Sequence, residues 1–169
     1  MNNFKFRSEF QLSYNFVCGY GDAQDSIDLF EDKKYDILIK ARFLDFNGFL
    51  ACCPTHVDCI PTNLSYQLTF RNHIKAHGYQ EVFQNSKFLL ADTLGLNTRI
   101  DTLTTYWNDK IELWNNNYPH PHQGKWYFIE EDKFLAIRLG ESSPFKYGWI
   151  KIGTNSEHNL IFKEYALEE

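Results

Sequence analysis

The sequence predicts an all-β, mainly antiparallel domain, either a β-sandwich or a barrel-like sheet, on three observations. Apolar and polar residues alternate with a period of two over several stretches. Short polar turns separate those stretches. Large rings are abundant, with 15 Phe, 10 Tyr and 4 Trp making up 17% of the chain. A chain of 169 residues, 43% of them hydrophobic, is the size of one domain and can bury its own core. No linker, repeat or low-complexity tract divides it, so residues 1–169 read as one unit.

The alternation is clearest from Leu64 to Phe70, where Leu64, Tyr66, Leu68 and Phe70 take one face and Ser65, Gln67 and Thr69 the other. Tyr35 to Phe43 repeats it, with Tyr35, Ile37, Ile39, Ala41 and Phe43 together and Asp36, Lys40 and Arg42 opposite. Phe10 to Val17 carries Phe10, Leu12, Tyr14 and Phe16 on one side. The C-terminal third predicts four β runs: Lys125–Ile129, Phe134–Leu139, Lys146–Ile152 and Asn159–Leu167. Glu130-Glu131-Asp132, Gly140 to Pro144 and Gly153 to Glu157 are the turns between them, which gives an antiparallel meander. Trp149 falls in this pattern as a core ring.

One segment leaves two readings open. Leu96, Ile100, Leu103, Trp107, Ile111 and Trp114 recur at spacings of three and four, which predicts a short helix near 97–108 capped by Asn97. Four threonines in the same stretch disfavour a helix and fit strands joined by a loop.

The charge of -5 argues against nucleic acid, whose phosphates require a basic face. No stretch approaches the roughly 20 apolar residues of a membrane-spanning helix. The first residues, Met-Asn-Asn-Phe-Lys-Phe-Arg, contain no apolar leader core. Two settings fit: a cytoplasmic protein, or an exported one read without its leader.

Four cysteines, Cys18, Cys52, Cys53 and Cys59, bear on that choice. They allow three disulfide pairings. A bond between the neighbours Cys52 and Cys53 would be strained. Cys18 is then paired with Cys52 or with Cys53, and Cys59 with the other. Reduced, buried thiols are the second reading. A metal site in the segment Cys52-Cys53-Pro54-Thr55-His56-Val57-Asp58-Cys59, which resembles half of a zinc site, is the third, although the usual Cys-x-x-Cys spacing is missing.

Three further groups are candidates for chemistry. Asp28, Asp32 and Asp36 recur at four-residue intervals beside Glu31, and closely spaced carboxylates suit calcium. Phe30, Lys33 and Lys34 interrupt the expected loop pattern, so the alternative is a solvated hairpin between two strands. His120 and His122 share a Pro-bounded loop with Tyr118; the pair suits a transition metal, or with Glu130 or Asp132 it would form the acid–base set of a hydrolase in the 118–132 region. Trp107, Trp114, Tyr118, Trp126 and Tyr127 cluster in sequence. Exposed rings of this kind stack on sugars, and Trp114, Tyr118 and Trp126 are the candidate ligand-binding set; the alternative is that they are core. No nucleophile elbow, phosphate loop or His-Glu-x-x-His motif is present.

The C-terminal segments carry a resemblance. Gly124-Lys125-Trp126, Lys133-Phe134-Leu135-Ala136-Ile137-Arg138-Leu139, Tyr147-Gly148-Trp149-Ile150-Lys151-Ile152 and Lys163-Glu164-Tyr165-Ala166-Leu167-Glu168 together resemble the ending of a group of uncharacterised exported proteins and lipoproteins of Bacteroidetes-type bacteria. Ser26-Ile27-Asp28-Leu29 through Asp36-Ile37 is similar to their Asp-rich opening. The resemblance implies the cell envelope or secretion, oxidised cysteines and, in some members, a lipid anchor on a cysteine outside this chain. It implies no reaction. The expected function is therefore a non-enzymatic β-domain that binds a glycan, protein or surface component. The alternatives are the hydrolase and a cytoplasmic interaction protein.

Overall fold

The structure is a computed structural model that describes residues 10–11, 15–17, 20–44, 64–83, 86–100, 103, 106–115, 124–126, 129–154 and 160–168. The described residues form twelve strands: β1 (Phe10–Gln11), β2 (Asn15–Val17), β3 (Tyr20–Ile27), β4 (Ile37–Leu44), β5 (Leu64–Phe70), β6 (Ile74–Phe83), β7 (Ser86–Ala91), β8 (Trp107–Asn108), β9 (Lys110–Asn115), β10 (Lys133–Leu139), β11 (Lys146–Thr154) and β12 (Leu160–Leu167). The predicted all-β class holds. Among the described residues there is no helix: in the stretch near 97–108 considered for one, residues 97–100, 103 and 106 are turn or loop and Trp107–Asn108 are β8. The predicted run Lys125–Ile129 also differs, because Lys125 and Trp126 lie in a turn and Ile129 lies outside any strand.

One sheet contains all twelve strands, in the order β1-β12-β11-β10-β6-β7-β9-β5-β4-β3-β2, with β8 beside β6. Every pairing is antiparallel except β7 with β9, which meet in parallel at Leu90 and Glu112. The two outermost strands, β1 and β2, are consecutive in the chain. Only four residue steps separate Gln11 from Asn15, a reach of at most about 14 Å. The sheet must therefore curl until its ends approach. Tyr165 on β12 spans that gap, donating its hydroxyl to the carbonyl of Asp28, 3.5 Å away after β3.

Curling gives the sheet an inner face that water does not reach. Ile27, Ile39, Tyr66, Leu68, Leu135, Ile150, Phe162 and Tyr165 share one core drawn from both ends of the sheet. Burying a large apolar side chain contributes about 1.5–3 kcal/mol, so this interior is the main source of stability. The alternation read in β5 is realised, with Tyr66, Leu68 and Phe70 buried and Ser65, Gln67 and Thr69 half-buried.

β6 divides its pairing. Its first residues pair with β10 on one side and β8 on the other, and from Gly78 onward it pairs with β7. Gly78 sits at this junction and donates its N–H to the carbonyl of Tyr106, 3.0 Å. A Cβ there would lie 2.4 Å from the carbonyl oxygen of Leu90. After β7 the chain passes through Asp92, whose N–H bonds the His77 carbonyl, to Leu94, which bridges to Phe134 of β10. This crossing leaves residues 92–100 beside the outer face of β10–β12. There Leu94, Trp107 and Ala136 form a second, smaller apolar cluster with Ile100, Leu103, Phe134 and Tyr147.

Candidate functional site

The period of two assigns each C-terminal strand residue a face. On β11, Gly148, Ile150 and Ile152 are buried, while Tyr147, Trp149 and Lys151 alternate with them and are half-buried on the outer face. Register places Phe134 opposite Lys151 and Ala136 opposite Trp149 on β10, and Ala166 opposite Trp149 and Glu164 opposite Lys151 on β12. The outward row is thus Phe134, Trp149, Lys151 and Glu164. A bulge between Lys151 and Ile152 admits Lys163 as an extra residue in β12.

The loop after Leu94 closes over this row. Thr98 folds back on Gly95 through its N–H, 3.3 Å, and its hydroxyl, 3.0 Å, both to the Gly95 carbonyl. Asn97 takes a left-handed conformation (φ 69°), which Asn tolerates better than most residues. Further along, the Trp107 indole donates to the Leu103 carbonyl at 3.0 Å and pins the loop to the second cluster. Between loop and sheet lies a cleft of about 530 Å³, within the range of small-molecule sites. Phe134 and Trp149 line it and meet edge-to-face, 5.3 Å between centroids at 89°. Leu94 and Ile100 add apolar wall. Leu96, 78% exposed, stands at the tip of the turn.

Lys151 and Glu164 supply the cleft's charged wall. The Lys151 ammonium donates to Glu164 Oε1 at 2.9 Å and lies 3.5 Å from Asp132 Oδ2. Lys163 Nζ approaches Asp132 Oδ1 at 2.8 Å, and Lys133 pairs with Glu131. The hydrogen bond that Lys151 donates to Glu164 raises the lysine's pKa, so the ammonium stays charged.

A second cluster of ionisable groups adjoins this one. His77, 8% exposed, packs against Trp107 with centroids 5.3 Å apart. Among the described residues its Nδ1 has no hydrogen-bond partner, and it sits 3.9 Å from Asp92 Oδ2. Asp92 Oδ1 instead accepts from Lys125, 2.6 Å, and from the Thr93 N–H, 2.9 Å. Burial lowers the His77 pKa, partly opposed by Asp92 and reinforced by Lys125. Folding then excludes a proton that the unfolded chain binds just below the ordinary value of 6.5. Stability is complete above that pH and falls as acid takes it downward toward the folded-state pKa. Urea midpoints should therefore drop between pH 7 and pH 5, and His77→Gln should flatten that dependence.

The residues singled out in the sequence occupy different places. Trp114 and Trp126 are buried in the main core, Trp114 edge-on to Tyr66 at 4.5 Å. Both rings are withdrawn from the surface, because β9 and the 124–126 turn direct them inward. Among the described residues, the Trp126 indole N–H meets no acceptor. Tyr118, His120 and His122 lie outside the described residues, as do Cys18, Cys52, Cys53 and Cys59.

Asp28, Asp32 and Asp36 occupy the hairpin loop between β3 and β4, where protein donors take up their carboxylates. Asp28 accepts the N–H groups of Asp32, 3.2 Å, and Lys33, 2.8 Å, and Asp32 accepts that of Lys34, 2.9 Å. Asp36, 0% exposed, accepts the Leu29 N–H at 2.7 Å and the Asn72 amide. Among the described residues no three His, Cys, Asp or Glu side chains are grouped to hold a metal ion. Of the hydrolase set, Glu130 is exposed and Asp132 is committed to Lys151 and Lys163.

Sequence reasoning missed Trp149 as a cleft residue because it read the ring as core. The signal was the opposite parity of Gly148, Ile150 and Ile152, which already fill the inner face. Comparison with protein-family models, with curated proteins and with solved structures found no match. Among the described residues no helix is long and apolar enough to cross a membrane.

Proposed function

We propose that this chain is a non-enzymatic binding module whose ligand enters the cleft between residues 94–100 and the outer face of β10–β12. The observation that carries this reading is Trp149, a half-buried indole beside Phe134 in a cleft of about 530 Å³. Large aromatic rings in a concave, partly desolvated site are where binding energy concentrates. The other two charged features support no reaction of their own. Asp132 is held by two lysines, and His77 is packed away behind Trp107.

Binding of a mixed panel of glycans and short peptides, immobilised on arrays, tests this. At least one member should bind wild type, remain chemically intact, and lose roughly tenfold or more in affinity with Trp149→Ala. Turnover of a bound member, or binding indifferent to Trp149, would count against it.

The setting we propose is the cell envelope or the secreted fraction, supported by the C-terminal resemblance around Tyr147-Gly148-Trp149-Ile150. In such a compartment the cysteines are oxidised. A thiol titration of folded protein should find no free thiol; four free thiols would favour the cytoplasmic interaction protein.

A further inference from the structure

We infer that the cleft selects an uncharged sugar ring, packed by its C–H face on Trp149 with neighbouring hydroxyls bonded to Lys151 and Glu164. The inference rests on the reading of the cleft as a binding site and adds the class of ligand.

The charges around the cleft are balanced. Lys133, Lys151 and Lys163 face Glu131, Asp132 and Glu164, and each lysine lies within ion-pair distance of a carboxylate. Among the described residues that line the cleft, the charges are one lysine and one glutamate, already paired with each other. An anionic ligand approaching Lys151 would also meet Glu164 and Asp132. A cationic one approaching Glu164 would meet Lys151. Either would have to pull apart a pair already formed at 2.9 Å.

A lysine ammonium has three N–H donors and a carboxylate has two oxygens. Lys151 directs donors to Glu164 and Asp132, which leaves one for a ligand. The bond to Lys151 uses Glu164 Oε1 and leaves Oε2. A donor and an acceptor thus stand side by side at the cleft wall. Adjacent hydroxyls on a sugar ring, each both donor and acceptor, match such a pair without breaking it.

Leu94, Ile100, Phe134 and Trp149 give the cleft its apolar surface, with Asn97 and Thr98 of the loop beside them. A purely hydrocarbon ligand would cover that surface but strip water from Lys151 and Glu164 with nothing in exchange, which is unfavourable. A pyranose has both surfaces, an apolar face of C–H groups and a polar edge.

Calorimetric titration with three probe sets tests this. The first is a panel of neutral oligosaccharides built from glucose, mannose, galactose or N-acetylglucosamine units. The second is tetragalacturonate. The third is a set of uncharged tetrapeptides carrying Leu, Phe or Trp. At least one neutral oligosaccharide should bind, with little change between low and high salt. Trp149→Ala should weaken it roughly tenfold or more. Glu164→Gln, which keeps the shape and removes the charge, should weaken it several-fold while the melting temperature stays close to wild type. Tighter, salt-sensitive binding of tetragalacturonate would overturn the inference, as would Trp149-dependent binding of peptides without sugars. In both cases the cleft would remain a binding site. If no member of any set responds to Trp149→Ala, the binding reading fails as well.

Discussion

Gly148→Ala is expected to destabilise the protein by about 3 kcal/mol or more. Gly148 lies on the inward face of β11, opposite Leu167 of β12. A Cβ at this position would stand 2.2 Å from the carbonyl oxygen of Ala166 and 3.0 Å from Leu167 Cα. Both obstacles are backbone, so no rotamer change relieves them, and β11 and β12 would have to separate. Their separation would loosen the inner core at Ile150 and Tyr165 and shift the outward row that bears Trp149 and Glu164. Gly95→Ala is the control. Its Cβ would meet nothing nearer than Thr98 Oγ1 at 4.0 Å, and its effect should stay within about 0.5 kcal/mol. Urea denaturation of the two variants makes the comparison. Equal midpoints would refute the packing described for the Tyr147-Gly148-Trp149 strand.

Asp36→Ala is expected to cost about 2–4 kcal/mol. Asp36 closes the loop between β3 and β4 from both sides. Its N–H donates to the Ile27 carbonyl at 2.9 Å, and its own carbonyl accepts from Arg71 at 2.8 Å. Those backbone bonds survive substitution, whereas the carboxylate bonds do not. Leu29, buried beneath the loop, would be left with an unpaired N–H inside the core margin. Asn72 is exposed and would turn to water, so the Leu29 amide accounts for most of the loss. Asp36→Asn keeps one carbonyl oxygen but brings an NH₂ toward an existing donor, so an intermediate loss is expected. Urea midpoints give the magnitude. Hydrogen exchange gives the location, since the Leu29 amide should lose protection first. An unchanged Leu29 amide in Asp36→Ala would show that the clasp contributes nothing.

The parts of the fold legible in the sequence are those where one face is wet and the other dry. β5 and β11 follow a period of two because the outer face of each meets water or a loop while the inner face meets the core, whereas β10 and β12, covered on both faces in part, read as apolar runs. β6 was hidden for the opposite reason. Gly78 interrupts it and His77 is buried on its outer side, so the pattern breaks although the strand continues. The apolar stripe from Leu96 to Trp114 was visible, but its cause was not local. Ile100, Leu103 and Trp107 are apolar because they cover the outside of β10–β11. Ile111 and Trp114 are apolar because β9 faces the interior. Two surfaces of different origin together imitate a helical period.

The same distinction explains the candidate site. Acidic spacing at 28, 32 and 36 was readable, but its use in tying the loop's own amides together depends on backbone geometry, including left-handed Glu31 and Lys33. Trp114 and Trp126 were conspicuous as rings, and composition alone does not give the side of a sheet. The cleft requires the crossing of residues 92–94 from β6 to β10, a long-range event with no local signature.

Fluorine NMR of 5-fluorotryptophan-labelled protein reads all four tryptophans at once and shows which of them meets ligand. Titration with a neutral oligosaccharide that binds should shift the Trp149 resonance most, with a smaller response at neighbouring Trp107, while Trp114 and Trp126 stay in place. A shift at Trp114 or Trp126 with Trp149 unmoved would contradict the assignment of the outer face of β10–β12 as the binding surface.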